Sequence, residues 1–140
     1  MEFENDIVDI NTLNKYLSEK KLKRQKHPIL DLYIWNYAES IQYSKKWDSV
    51  LYKCRGLVTD SQGNVVAKSF DKFFNYGEVE NGYTNFIGGI YKDEYTIYEK
   101  YDGSLGLLFY YQNEWIFCTK GSFTSEQALH GQELLKNKYS

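Results

Sequence analysis

A lysine followed closely by an aspartate and a glycine is the pattern in this sequence with the clearest chemical potential. Lys100 ends an alternating segment, and Asp102 and Gly103 follow before a second apolar segment begins. This order predicts a lysine amine at the end of a strand, beside a bend that a ligand can approach closely. Such an amine is a nucleophile once it is neutral, and burial or a neighbouring cation favours that form. Taken alone, K-x-D-G is more typical of a surface lysine before a turn than of a reactive site.

Three further segments each place a cation beside glycine or aromatic residues at the predicted end of a strand. Arg55 and Lys120 each precede a glycine, and Lys72 precedes two phenylalanines. If these segments converge on Lys100, the four cations supply about the positive charge that a triphosphate requires. Two of these cations also have ordinary alternatives, because Arg55 could form a salt bridge at a strand end and Lys72 could be a solvated side chain.

The elements that must position these residues are predicted from hydrophobic periodicity. Helical spacing predicts a helix over 11–19, capped by Asp9 or Asn11, and a closing helix capped by Thr124. Alternation and turn residues predict strands over 30–37, 54–59, 64–69, 95–100, 105–111 and 115–119, with turns at 60–63 and 112–113. The basic run 20–27 is predicted as a solvated loop, with RNA contact as the alternative. The fold class is therefore α+β, with a largely antiparallel sheet and flanking helices.

Composition limits the classes of protein that remain. A chain of 140 residues with 42% hydrophobic and 18% aromatic residues forms one folded domain, and its longest apolar run is too short to span a membrane. A net charge of −2 excludes a generally basic nucleic-acid coat. Cys54 and Cys118 are too few for a disulfide scaffold, and the acidic N-terminus is unlike a secretory signal. We therefore expect a cytoplasmic protein with two free, buried thiols and no membrane partner. His27 and His130 lack ligand spacing, so neither is assigned to a metal.

Several motifs together resemble the N-terminal part of bacteriophage ATP-dependent RNA ligases of the tRNA-repair kind, within the covalent nucleotidyltransferase superfamily. They occur in the family's order and with similar gaps over about residues 34–129. The matching segments are Trp35–Ala38, Cys54–Gly56, Lys72–Asn75, Lys100–Leu105, Lys120–Ser122 and Ser125–Leu129. This joint match is much more specific than K-x-D-G alone.

The resemblance implies a ligase reaction in three steps. Lys100 attacks the α-phosphate of ATP to form a lysyl-adenylate, the AMP moves to an RNA 5′-phosphate, and a 3′-hydroxyl then seals the strand. ATP and Mg²⁺ are the implied cofactors, and Lys120 is implied as a second catalytic residue. The residues implied to bind the nucleotide are Arg55, Lys72, Trp35, Asp102 and Gly103. Trp35 stands where the family carries a tyrosine, and a core aromatic is the alternative interpretation.

The resemblance also implies an incomplete, ATP-grasp-like adenylation domain. The family's later acidic motifs, its late lysine pair and its C-terminal RNA-specificity domain have no counterpart here, so no metal ligand is assigned. We therefore expect 1–140 to be the N-terminal portion of that domain, with a helix and basic loop over 1–29 and a strand-rich nucleotide-binding part over 30–140. Such a chain should be inactive or very slow alone, should expose a bare edge or apolar face, and could need a complementary C-terminal ligase fragment.

Two other functions remain open on the sequence. The first is a non-catalytic nucleotide- or RNA-binding module descended from such a ligase. The second is another covalent nucleotidyltransferase, such as a DNA ligase or a capping guanylyltransferase, because these share K-x-D-G. The segments around Arg55, Lys72 and Lys120 favour RNA ligase over the second. The expected partners are ATP and RNA ends that carry a 5′-phosphate and a 3′-hydroxyl.

Overall fold

Two antiparallel sheets and four helices form the part of the chain that the computed structural model describes, residues 7–75 and 96–139. The elements in chain order are α1 (Ile10–Ser18), β1 (Leu22–Lys26), β2 (Tyr33–Tyr37), α2 (Glu39–Ser44), α3 (Ser49–Lys53), β3 (Arg55–Thr59), β4 (Val65–Lys68), β5 (Gly106–Tyr111), β6 (Glu114–Thr119) and α4 (Glu126–Tyr139). Strands β1 to β4 form one sheet in chain order, and β5 and β6 form a hairpin. The predicted α+β class with antiparallel strands is confirmed.

Local hydrogen bonds explain why the predicted helix and turns form where they do. The carboxylate of Asp9 caps α1 by accepting from the amide of Asn11 at 3.0 Å. Asp60 shapes the turn between β3 and β4, since its Oδ1 accepts from the amides of Gln62 and Asn64. Between β5 and β6, Gln112 and Asn113 both have positive φ, at 48° and 68°. Paired positive φ values are typical of the type I′ turn that joins two-residue hairpins.

The four-stranded sheet is covered on both faces. On one face, Trp35 and Leu57 pack with α1 and α3 around Leu13 and Leu51. On the other face, neighbouring sheet residues pack against the β5–β6 hairpin; this second cluster includes Ile34, Val58, Ala67, Leu107, Phe109, Ile116 and Cys118. The alternation of β2 thus sends successive residues into two different cores.

Both cysteines are free and buried, as the sequence predicts. Burial raises the pKa of the Cys54 thiol to about 12, and a coulombic contribution from Asp48 adds to it. Burial also raises the pKa of Cys118 to about 12. At neutral pH the two thiols are therefore protonated and unreactive.

The predicted basic loop is wrong, because most of it forms the edge strand β1. Its five residues pair in register with β2, from Leu22 opposite Tyr37 to Lys26 opposite Tyr33. Leu22 is buried, and the guanidinium of Arg24 lies over the ring of Tyr33 at 4.9 Å. Strand β1 carries basic side chains on both of its faces. It therefore lacks the alternation of apolar and polar residues by which strands are recognised in a sequence.

Three other local predictions need correction. Residues 96–100 of the predicted strand 95–100 have no regular structure, and Tyr95 lies outside the described residues. The segment alternates, but Ile97 is 83% exposed, so no apolar face is buried to hold it in a sheet. Helix α4 is capped by Ser125 instead of Thr124, since the Ser125 hydroxyl accepts from the amide of Ala128 at 3.2 Å. Helices α2 and α3 were not predicted, because their six and five residues are too short to show periodicity.

The outer face of the β5–β6 hairpin is partly apolar and exposed, as expected. Leu108, Tyr110 and Trp115 are each more than half exposed. The edge of β6, however, is not bare. The side chain of Gln132 from α4 accepts from the amide of Phe117 at 2.7 Å and donates to the carbonyl of Trp115 at 3.1 Å.

The loop after β1 depends on the neutral form of a histidine. His27 Nδ1 accepts hydrogen bonds from the amides of Ile29 and Leu30, at 3.1 and 3.0 Å. Burial lowers the pKa of His27 from its ordinary value of 6.5, opposed by Glu114. As the pH falls, His27 is therefore protonated in the unfolded chain before it is protonated in the folded chain. The stability that neutral His27 contributes is complete above pH 6.5 and is lost as the pH falls through its folded-state pKa.

Replacement of His27 by alanine should therefore lower the free energy of unfolding by about 1 kcal/mol at about pH 8, because two amide donors lose their acceptor. The difference from the wild type should shrink at about pH 5. Urea unfolding at both pH values measures it, and His130→Ala, at an exposed position, is the matched control. A difference that does not change with pH would contradict the role assigned to the neutral ring.

Within the described ranges, no helix combines the length and apolar character needed to cross a membrane.

Candidate functional site

A cleft of about 400 Å³ lies where the start of β3 meets the loop before β5 and the turn after β6. It is lined by Arg55, Gly103–Leu105, Thr119–Ser122, Ser125 and Gln127. Three of the segments that the sequence analysis singled out therefore meet in one place. They bring two of the four predicted cations, Arg55 and Lys120, to the same cavity.

Close backbone packing between β3 and the end of β6 builds this cleft. Gly56 has φ +70°, and a Cβ placed there would lie 3.1 Å from the Cα of Lys120. The amide of Lys120 donates to the carbonyl of Leu105 at 3.1 Å, which fixes the loop before β5 against the same turn. Any larger residue at position 56 would strain its own backbone and push Lys120 away from Arg55.

The cleft is electropositive. Burial lowers the pKa of Lys120, and the nearby Arg55 guanidinium lowers it further. Arg55 donates to the Ser69 hydroxyl at 3.3 Å and lies over the Phe73 ring at 5.3 Å. Among the described residues, no carboxylate forms a salt bridge with either cation. An anionic ligand would relieve their mutual repulsion and raise the pKa of Lys120 toward its ordinary value.

The first turn of α4 lies at the same cleft. Ser122 accepts hydrogen bonds from the amides of Thr124 and Ser125, at 3.0 and 2.9 Å, and so turns the chain into the helix. Ser125 and Gln127 then face the cavity from the positive end of the helix dipole. This end adds to the attraction that Lys120 and Arg55 exert on phosphate oxygens.

The bend after Lys100 reaches the cleft, but the Lys100 side chain does not line it. Gly103 lines the cavity, and its φ of +140° is a conformation that favours glycine. Lys100 and Asp102 are both exposed. Gly103 lies three positions after Lys100, so their Cα atoms are at most about 11 Å apart. The amine is thus tethered beside the cleft.

Lys72 lies outside the cleft, on an aromatic cluster at the rim of the first core. Its ammonium is 4.5 Å from the centre of the Phe74 ring and 5.7 Å from that of Trp47. The neighbouring Phe73 lies against the Arg55 guanidinium, which links the Lys72 loop to the wall of the cleft. The nucleotide contact expected of Lys72 stays a prediction.

Trp35 is placed in the core and not in the cleft. Its side chain is 0% exposed, and its Nε1 donates to the Thr59 hydroxyl at 3.0 Å. The structure therefore supports the alternative interpretation, a core aromatic, over the nucleotide contact that the resemblance implied. From this position the indole cannot stack on a ligand.

The residue next to Trp35 is the polar group that the sequence analysis missed. Asn36 faces the turn after β6, since a Cβ on Gly121 would lie 3.6 Å from its Nδ2. Its Oδ1 is buried without a hydrogen-bond partner among the described residues. Alternation alone could have placed Asn36 opposite to Trp35, because neighbouring strand residues point to opposite faces.

Comparison with known proteins gives the family. A sequence model described as RNA ligase matches residues 53–140. The "Putative bifunctional polynucleotide kinase/RNA ligase" of Autographa californica nuclear polyhedrosis virus is 35% identical over 120 residues, covering 80% of this chain and 17% of that protein. The "RNA ligase" of Rhodothermus phage RM378 is 30% identical over 118 residues, covering 71% of this chain and 26% of that protein. The chain thus spans about a sixth to a quarter of the length of these curated relatives. It belongs to the RNA ligase family, as a phage-type RNA ligase region.

Proposed function

We propose that this chain is the nucleotide-binding portion of an ATP-dependent RNA ligase that forms a lysyl-adenylate at Lys100 and passes AMP to an RNA 5′-phosphate. One observation carries the proposal: the bend that follows Lys100 enters the cleft that Arg55 and Lys120 make electropositive. A triphosphate bound between these cations would have its α-phosphate within the region that the Lys100 loop can reach. Family membership supports the choice of ATP and RNA ends as substrates.

The chemistry follows from the charges in the cleft. The neutral amine of Lys100 attacks the α-phosphorus, a nitrogen–phosphorus bond forms, and the bond to the leaving pyrophosphate breaks, while the amine loses a proton. Arg55 and Lys120 would balance the charge that collects on the phosphate oxygens in this step. An oxygen of the RNA 5′-phosphate then attacks the same phosphorus, which returns Lys100 to its free form. Attack by a 3′-hydroxyl on the activated end joins the strands and releases AMP.

A magnesium ion is implied by the family, and the described residues do not fit a protein-held site for it. They contain no group of three or more His, Cys, Asp or Glu side chains that could hold a metal ion. We therefore assign no ligand of this ion to the described residues, and no step of the proposed reaction depends on it. We expect the family's acidic and late lysine motifs, on a complementary ligase segment, to complete an ATP-grasp-like adenylation domain with the region 30–140.

A second candidate function is a non-catalytic nucleotide- or RNA-binding module. The exposure of Lys100 and Asp102 favours it, because an amine in solvent is neither oriented nor desolvated for attack. In that case Arg55 and Lys120 would bind a polyphosphate without covalent capture.

Incubation of the 140-residue chain with α-³²P-labelled ATP and MgCl₂, followed by a denaturing gel, separates the two. We expect a slow label in the wild type that is absent from Lys100→Ala. The matched control Lys138→Ala, on the exposed end of α4, should label like the wild type. Equal label in Lys100→Ala would contradict the proposal. No label in the wild type with or without a supplied C-terminal ligase fragment, together with ATP binding that Arg55→Ala weakens, would establish the non-catalytic module instead.

A further inference from the structure

We propose that Lys23, Asn36 and Arg55 form a polar row that binds the phosphate backbone of single-stranded RNA and leads its 5′ end into the cleft. The inference rests on the proposed function, since it assigns the path of that reaction's second substrate. It adds Lys23 of β1 and Asn36 of β2, which do not line the nucleotide cleft, to Arg55 of β3, which does.

Strand register makes the row continuous. Lys23 of β1 pairs with Asn36 of β2 in regular register, so the two side chains point to the same face and lie about 5 Å apart. Asn36 in turn pairs with Arg55 of β3, across a register shift between Trp35 and Asn36. Because Arg55 lines the cleft, the three residues lead from the edge of the sheet to the wall of the cleft.

Two contacts show that this face is the one that carries the cleft. Gln25 follows Lys23 by two residues and so shares its face; its side chain accepts from the amide of Phe123 at 2.6 Å and donates to the Thr124 hydroxyl at 3.2 Å. Asn36 lies against Gly121, in the turn that lines the cavity. The face that carries the row thus borders the turn between β6 and α4 at Asn36 and Gln25.

Each member can bind a ligand group at little cost. Lys23 pairs with Glu39 at 3.2 Å, but both side chains are largely exposed, so the pair contributes little to stability. Arg55 donates one hydrogen bond to a described residue, Ser69, although its guanidinium has five donor hydrogens; the others can serve a ligand. The buried Oδ1 of Asn36 lacks a donor, which a ribose hydroxyl could supply after rotation of the amide.

The same strand supplies a matched control. Lys26 carries the same charge on β1 and is exposed, but it pairs with Tyr33 and so points to the opposite face of the sheet. A general attraction between RNA and basic residues would use both lysines alike. A defined path over one face would use Lys23 alone.

Fluorescence anisotropy with a 5′-phosphorylated single-stranded oligoribonucleotide, measured on the 140-residue chain over a range of salt concentrations, tests this inference. Loss of one phosphate contact lowers the slope of log K against log salt by about 0.7, which corresponds to roughly fivefold in affinity at about 0.1 M salt. We expect both changes in Lys23→Ala and neither in Lys26→Ala. Equal weakening by the two variants, or no weakening by Lys23→Ala, would overturn the row.

Labelling of the wild type by ATP, measured in parallel, separates this inference from the proposed function. If Lys100 is labelled but Lys23→Ala and Lys26→Ala bind RNA with equal affinity, the row is rejected and the proposed function stands. A difference between these variants, without label at Lys100 even when a C-terminal ligase fragment is supplied, would support an RNA-binding face and reject the lysyl-adenylate.

Discussion

Replacement of Lys120 by alanine should slow AMP transfer to Lys100 by about 10²–10³-fold, the usual effect of removing one preorganised charge from a reaction site. Lys120 is half-buried and is held by the bond of its amide to Leu105, so its charge is in place before ATP arrives. Arg55 is the other cation of the cleft and cannot balance a triphosphate alone. Initial rates of label incorporation from α-³²P-labelled ATP measure the effect.

Lys136→Ala provides the control for charge, because Lys136 is exposed near the end of α4. Circular dichroism should show that both variants keep their secondary structure. A rate for Lys120→Ala within about threefold of the wild type would contradict the role given to the cleft, since such a loss is far below that of a reacting-site charge.

Replacement of Trp35 by alanine should lower the free energy of unfolding by about 3–5 kcal/mol, the range measured for large aromatic side chains in cores. The indole is completely buried, and its Nε1 bonds to Thr59, itself 0% exposed. On the side of β1, the Arg24 guanidinium lies 5.5 Å from the indole ring centre. A small domain is stable by about 5–15 kcal/mol in total, so this variant should lie close to unfolding. Urea denaturation measures the change.

Trp35→Phe separates the core role from the nucleotide contact that the family resemblance implied. Phenylalanine keeps most of the buried volume and loses the bond to Thr59, so we expect a smaller loss of about 1–2 kcal/mol. Binding of ATP by the folded Trp35→Phe variant should match that of the wild type. Weakened ATP binding at unchanged stability would instead show that Trp35 contacts the nucleotide.

Those parts of the fold that depend on local signals were predictable from the sequence. Asp9 marks the start of α1, and the residues 60–63 and 112–113 mark two hairpin turns, because each side chain or backbone conformation acts within a few residues. Strand β1 was not predictable in this way. Its place depends on pairing with β2, and its charged residues point away from the core on both faces.

Which segments contribute residues to the cleft was largely predictable from the sequence. Which side chains point into it was less predictable. The glycines after Arg55 and Lys120 signalled close approach, and Gly56 does lie against Lys120. Motif order could not tell which face of β2 borders the cleft. That depends on where the β5–β6 hairpin packs, which places Asn36 at the turn after β6 and Trp35 in the opposite core.

Location of the adenylate by peptide mass spectrometry tests the central claim most directly. The wild-type chain is incubated with ATP and MgCl₂, digested near neutral pH and compared with Lys100→Ala. We predict one added AMP on the peptide that contains Lys100, and an unmodified counterpart in the variant. An adenylate on another lysine such as Lys120, or modification that persists in Lys100→Ala, would contradict covalent capture at this position.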